Sequence, residues 1–207
     1  MKGLFVVFEG LTASGKKSQI ILLTEHLQKE GREVVKISFP NYETEIARLT
    51  KRSDIDPFTQ SLLFAADRQH YQSRIKQLME KGAVVLCDRY CYSNFAYQNV
   101  KNVPLEWLVE LEKNVIKPEI VFFIDVPISV SFSRVQQLNI EDFTKKEIVD
   151  RLQTERENLE RIRGIYLNLG KSQSDSTKWY VLNGEVAELS LHEQIWNIVA
   201  EKLRENS

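Results

Sequence analysis

Five short apolar runs punctuate the chain, at residues 4–8, 33–39, 83–87, 120–124 and 179–182. Each is nearly continuous, not alternating, which is the pattern of strands buried on both faces of a parallel sheet. Between the runs, apolar residues recur at three- and four-residue spacing. Ile20, Leu23 and Leu27 form one such stripe, and Gly31 stands where it would stop. Pro57 is suited to open a second helix that passes through Leu63, Ile75 and Leu78 to Gly82. Leu105, Leu108 and Leu111 predict a third, ended near Pro118, while Leu191, Ile195, Ile198 and Val199 share one face of the last. Strands alternating with helices predict an α/β fold, a three-layer sandwich whose five-stranded parallel sheet is flanked by helices. Ligands in such sheets bind beyond the carboxyl ends of the strands. That rule singles out residues 9–18, 39–48, 88–98 and 125–151. No internal repeat is visible, and Lys171 to Lys178 reads as a polar, serine-rich loop.

A chain of 207 residues suits one large domain, or one domain with a short lid. A formal net charge of -1 argues against broad nucleic-acid binding, so any basic site must be local. Cys87 and Cys91 are the only cysteines. A CxxxC spacing with no second pair is a poor zinc signature, and the two are expected to be reduced thiols, Cys87 buried at a strand end. No signal-type segment opens the chain, and no apolar run nears the ~20 residues of a membrane span. The expectation is a soluble cytoplasmic protein without a membrane partner.

Residues 10–16 read GLTASGK and fit the phosphate-binding pattern GxxxxGK, placed after the first apolar run and before a helical stripe. Glycines at 10 and 15 let successive N–H groups turn inward on an anion, and the following helix adds its positive end. Lys16 would reach the β- and γ-phosphates, and the hydroxyl of Ser18 the α-phosphate. Lys17 stands where Ser or Thr would ligate magnesium, and an ammonium has no lone pair to offer a metal. The ion could rest on phosphates, water and a nearby carboxylate, Lys17 could supply part of its charge, or the register could shift to Ser18.

Three more segments join FEGLTASGKKSQ at 8–19: FPNYETEI at 39–46, LLFAADR at 62–68 and DRYCYSNFAYQ at 88–98. In this order and spacing the chain resembles thymidylate kinases, over about residues 3–169. The resemblance implies a single P-loop kinase domain over residues 1–207, a lid at about 135–150, and phosphorylation of dTMP to dTDP with ATP and a magnesium ion (Mg2+). It implies that Gly10, Leu11, Thr12, Ala13, Ser14, Gly15, Lys16, Lys17 and Ser18 bind ATP. It assigns dTMP to Glu9, Phe39, Tyr42, Phe64, Arg68, Arg89, Ser93, Tyr97 and Gln98, with Phe64 stacked on the base and Arg68 on its carbonyl. Asp88 would bind magnesium through water or orient the reacting phosphate, and the planar fork of Arg89 suits the acceptor phosphate. Asp67 reads as structural. The family also implies a homodimer.

One branch of the family carries a catalytic arginine in the loop, where this chain has Ala13; the other carries basic residues in the lid. Arg151 is then the first candidate for the catalytic cation, with Lys145 and Lys146 behind it. A solvated helix face is the alternative for all three. Other departures fall on ligand contacts. Thr12 replaces the usual Asp facing the sugar 3′-hydroxyl, Tyr42 the usual Arg that grips the acceptor phosphate, and Asn183-Gly184 an acidic residue after the last strand. Lys17 and Arg48 are candidates to restore positive charge, and Tyr42 with Thr44 to supply hydroxyls. The departures leave open a kinase with a changed pyrimidine monophosphate acceptor, or a catalytically impaired nucleotide-binding homologue.

Overall fold

The computed structural model describes residues 2–137, 156–171 and 177–206. Its strands are β1 (Leu4–Glu9), β2 (Val34–Ser38), β3 (Val84–Asp88), β4 (Ile120–Asp125) and β5 (Lys178–Asn183), all parallel in the order β2-β3-β1-β4-β5. The helices are α1 (Lys16–Lys29), α2 (Glu45–Leu49), α3 (Pro57–Glu80), α4 (Cys91–Asn99), α5 (Leu105–Leu111), α6 (Ile128–Gln137), α7 (Arg156–Leu169) and α8 (Glu188–Glu205).

The five apolar runs become these five strands, and the period-two geometry of a strand sorts them between two cores. Phe5, Val7, Val85, Cys87, Val121 and Phe123 face one side, where Ile75 of α3, Phe95 of α4, Leu108 of α5, Val135 of α6 and Ile162 of α7 cover them. Leu4, Val6, Phe8, Leu86, Phe122 and Ile124 face the other, under Leu23 of α1 and Ile195 of α8. β1 is buried along its whole length. Both cysteines are free and buried, and burial raises their thiol pKa values.

Local signals set the helix ends. Asp56 caps α3 through bonds from the Phe58 and Thr59 amides, with Pro57 in the first turn. Gly31 (φ 73°) and Gly82 (φ 84°) take the left-handed conformation that ends α1 and α3, where Arg32 N bonds Leu27 O and Ala83 N bonds Leu78 O. α5 stops at Leu111 instead of running towards Pro118, and the next residue, Glu112, leaves helical backbone (φ -101°, ψ 13°) and is fully buried. α2 and α4 were not signalled by apolar period. In α4 the buried face carries Asn94 and Gln98 beside Phe95 and Ala96, so polar residues interrupt the stripe. On the far side of the sheet α1 and α8 meet through His26, whose Nδ1 lies 3.1 Å from His192 Nε2 and whose ring stacks on Trp196 at 3.6 Å.

β1 is central, and its carboxyl end leads to α1 on one face of the sheet, while those of its neighbours β3 and β4 lead to α4 and α6 on the other. Glu9, Asp88 and Asp125 close the three middle strands at this edge. That is where a doubly wound sheet opens a crevice.

Candidate functional site

Residues 10–18 curl over the end of β1. A side chain at Gly10 would meet Ile124 O and Ser14 Oγ, each at 2.7 Å, so only glycine fits. Ala13 (φ 56°) and Gly15 (φ 106°) complete the turn with left-handed backbone. The buried Lys16 ammonium donates to Gly10 O at 3.0 Å, Leu11 O at 2.8 Å and Ser14 Oγ at 3.4 Å. Burial, with the Arg89 charge second, brings its pKa down to about 7, against the pull of Asp88 and Glu9.

Two cavities flank this loop. The first, about 600 Å³, is lined by Thr12 to Gln19, Asp88, Arg89, Arg134, Gln137 and the β5–α8 turn with Leu191. The second, about 540 Å³, lies between the loop after β2, α3 and α4, and is lined by Phe39, Tyr42, Lys51, Phe64, Arg68, Ser93, Asn94, Tyr97 and Gln98 among others. Thr12 and Arg89 line both. The expected loop residues from Thr12 to Ser18 therefore face the first cavity, and the expected acceptor residues face the second with one exception. Glu9 lines neither cavity; it is fully buried behind Arg89. Gly10 and Leu11 also lie behind the lining, with Leu11 in the core.

Arg89 is held in an unusual backbone state, φ 67°, which costs a bulky residue about 1–3 kcal/mol. Its neighbours fix it there. Arg89 N donates to Phe8 O at 2.9 Å, the Cys87 thiol to Arg89 O at 2.9 Å, and Tyr90 N to Glu9 Oε1 at 2.8 Å. Its guanidinium donates to Ser93 Oγ at 3.3 Å and lies 5.3 Å from the Tyr97 ring centroid. Burial alone would lower its pKa, but Tyr97, Tyr166, Glu9 and Asp88 together raise it, so it stays a cation.

In the second cavity, Arg68 is not a free donor. Its Nε and Nη2 form a buried, bidentate pair with Glu112, whose Oε1 also accepts from Asn94 Nδ2 at 3.0 Å. Nη1 has no protein partner among the described residues and is the nitrogen left for a ligand. Asn94 Oδ1 and Gln98 Oε1 are buried acceptors without a partner among the described residues. Tyr42 carries the Lys51 ammonium over its ring at 4.0 Å, and Lys51 lines the cavity. Arg48, a candidate to restore charge, instead spends its guanidinium on Tyr42 O at 3.0 Å and Glu43 O at 3.3 Å. Asp67 holds the same loop through Asn41 N and Thr44 Oγ1.

The first cavity holds a cation that the sequence reading missed. Arg134 of α6 donates to Ala13 O at 3.4 Å, Ser14 O at 3.2 Å and Gly184 O at 2.6 Å. It bridges the phosphate loop to the turn after β5. The stretch 125–151 was marked by position, yet nothing in its pattern separates Arg134 from the lysines that follow. Gly184 is required there, since an added Cβ would meet Val126 at 2.6 Å and Ile124 at 2.7 Å. Arg151, Lys145, Lys146 and most of the expected lid lie outside the described residues.

Asp88 Oδ1 is buried beside the first cavity without a hydrogen-bond partner among the described residues. An orphaned carboxylate oxygen beside a phosphate loop fits a magnesium ion held mainly by phosphates and water. Among the described residues no group of three or more His, Cys, Asp or Glu side chains could hold a metal by itself. Lys17 is exposed on the cavity wall, in the first turn of α1.

The thymidylate kinase family profile matches residues 8–195. A protein of Pyrococcus abyssi named probable thymidylate kinase is 33% identical over 215 residues, covering 98% of both chains. The thymidylate kinase of Thermosipho melanesiensis is 33% identical over 190 residues, 87% of this chain and 89% of its own. That of Plasmodium falciparum is 40% identical over 132 residues, 61% of this chain and 63% of its own.

Proposed function

Because the chain belongs to the thymidylate kinase family, we propose that the two cavities hold the two substrates of that reaction. ATP lies against residues 10–18 and dTMP between α3 and α4. The reaction moves the γ-phosphoryl group of ATP onto the 5′-phosphate of dTMP, giving dTDP and ADP. The observation that carries the assignment is the shared wall: Thr12 and Arg89 line both cavities, so ligands in the two approach each other at that point.

Phosphoryl transfer needs chiefly alignment and neutralised charge. Lys16, already stripped of water and facing carbonyls, exchanges these acceptors for the β- and γ-phosphate oxygens. Arg89 grips the acceptor phosphate and reaches the transferring group. Lys51 supplies the second acceptor-side cation in place of the arginine that Tyr42 replaces. Arg134 keeps the loop carbonyls turned outward, so that the amides between them face the phosphates. When bound, magnesium neutralises the β- and γ-phosphate oxygens, and Asp88 is the residue that would hold it. Arg151 is the proposed lid cation. On the base, Phe64 stacks, Arg68 Nη1 donates to a carbonyl, and the unpaired Asn94 and Gln98 oxygens accept the ring N–H.

A coupled assay of ADP release with dTMP, ATP and magnesium tests the activity. Turnover no higher than that of Lys16→Ala would refute it. A cytoplasmic homodimer completes the proposal; no described helix is long and apolar enough to cross a membrane. Sedimentation at micromolar concentration tests the dimer, and a single monomeric species would remove it.

A further inference from the structure

Behind the shared wall sits a buried cluster of Glu9, Ser93 and Tyr166, of which Ser93 alone lines a cavity. Glu9 closes β1 immediately before the phosphate loop, and its carboxylate accepts four hydrogen bonds, two on each oxygen. Oε1 takes the Tyr90 amide at 2.8 Å and the Ser93 amide at 3.2 Å. Oε2 takes the Ser93 hydroxyl at 2.7 Å and the Tyr166 hydroxyl at 2.9 Å. These fill the lone-pair positions of a carboxylate, which is how a buried charge is tolerated. Ser93 Oγ in turn accepts from Arg89 Nη1 at 3.3 Å, and Tyr166 Oη lies 3.0 Å from the same oxygen. Tyr166 belongs to α7, and its ring is locked against Phe123 with centroids 4.8 Å apart. It is fully buried and lines neither cavity.

A left-handed Arg89 persists only if its surroundings over-determine it. The carboxylate fixes the backbone on the far side of Arg89 and aims the hydroxyl that receives its guanidinium. We propose that Tyr166, acting through Glu9 and Ser93, is a positioning residue for Arg89 and thereby sets the affinity for the acceptor nucleotide. The proposal rests on the reading that Arg89 grips the dTMP phosphate.

The test is Tyr166→Phe, which deletes one hydroxyl and keeps the packed ring. Steady-state kinetics are measured with dTMP and ATP varied separately, in the wild-type and the Arg89→Met backgrounds. The expected result is a rise of about tenfold in KM for dTMP, the size of one lost hydrogen bond to a charged group, with KM for ATP unchanged. In the Arg89→Met background the same substitution adds nothing further, because it acts through Arg89. Glu9→Gln, a second variant in case the first folds poorly, is expected to raise KM for dTMP in the same selective way. An equal change in both KM values, no change, or full additivity with Arg89→Met would overturn the link. If Arg89→Met itself left KM for dTMP unaltered, the acceptor role of Arg89 would fall instead.

Discussion

Glu112→Gln isolates the cost of the most deeply buried charge pair among the described residues. Arg68 and Glu112 are 3% and 0% exposed at their side chains, and three donors reach the carboxylate: Arg68 Nε, Arg68 Nη2 and Asn94 Nδ2. The amide keeps the volume but turns an N–H toward a guanidinium N–H and leaves the cation without a counter-charge. Removing one partner of such a pair costs about 3–5 kcal/mol. At about 2–4 °C per kcal/mol for a chain of this size, the thermal midpoint should fall by roughly 6–20 °C. Urea denaturation followed by circular dichroism measures the loss directly. Adding Arg68→Met should recover most of it, since replacing both charges removes the orphaned cation. A loss below about 1 kcal/mol for Glu112→Gln, the range of exposed pairs, would refute the reasoning.

Lys17→Thr should weaken ATP binding in the presence of a chelator by about tenfold, the loss of one charge-assisted phosphate contact. Calorimetry with and without magnesium checks it, and unchanged chelator-phase affinity would deny Lys17 that role. Lys16, with its pKa brought down to about 7 chiefly by burial, should gain a proton as phosphates replace its carbonyl partners, so ATP affinity falls as pH rises above about 7. Binding heats in buffers of different ionisation enthalpy at pH 8 would reveal the uptake, and Lys16→Ala should abolish it. The His192 pKa lies below the ordinary 6.5 through burial first and the His26 charge second, with Glu193 opposing. Below 6.5 the unfolded chain therefore binds more protons at this site, and stability is lost as pH drops through the folded value. Thermal melts from pH 8 to 5 should flatten in His192→Gln, and an identical slope would exclude this contribution.

The chain declared its three central strands clearly, because a strand buried on both faces must be apolar at every position; the edge strands β2 and β5 are only partly buried and mix Lys36, Ser38 and Lys178 into shorter apolar runs. It declared the phosphate loop equally well, since Gly10 and Gly15 are demanded by local backbone geometry and Lys16 follows them directly in the pattern. What it hid were partners joined across the fold: Glu112 lies 44 residues from Arg68, Arg134 is 120 from Ser14, and Tyr166 is 157 from Glu9. No local period encodes such pairs. Glu9 was expected at the substrate through resemblance, but its four donors turn it away from both cavities. Arg48 was expected to replace lost charge by its type and position. Its neighbouring carbonyls claimed it, and Lys51 stands in the cavity wall.

Cys87 and Cys91 are buried at one end of the sheet, with thiols that burial holds in the protonated state. Thiolate is the reactive species, so alkylating dyes should pass over the native fold. The protein is thus already a cysteine-free surface for spectroscopic purposes. A single thiol introduced as Gln137→Cys, at the exposed end of α6 beside the first cavity, would carry one fluorophore per chain without prior removal of native cysteines. Nucleotide arrival could then be timed on the unmodified core.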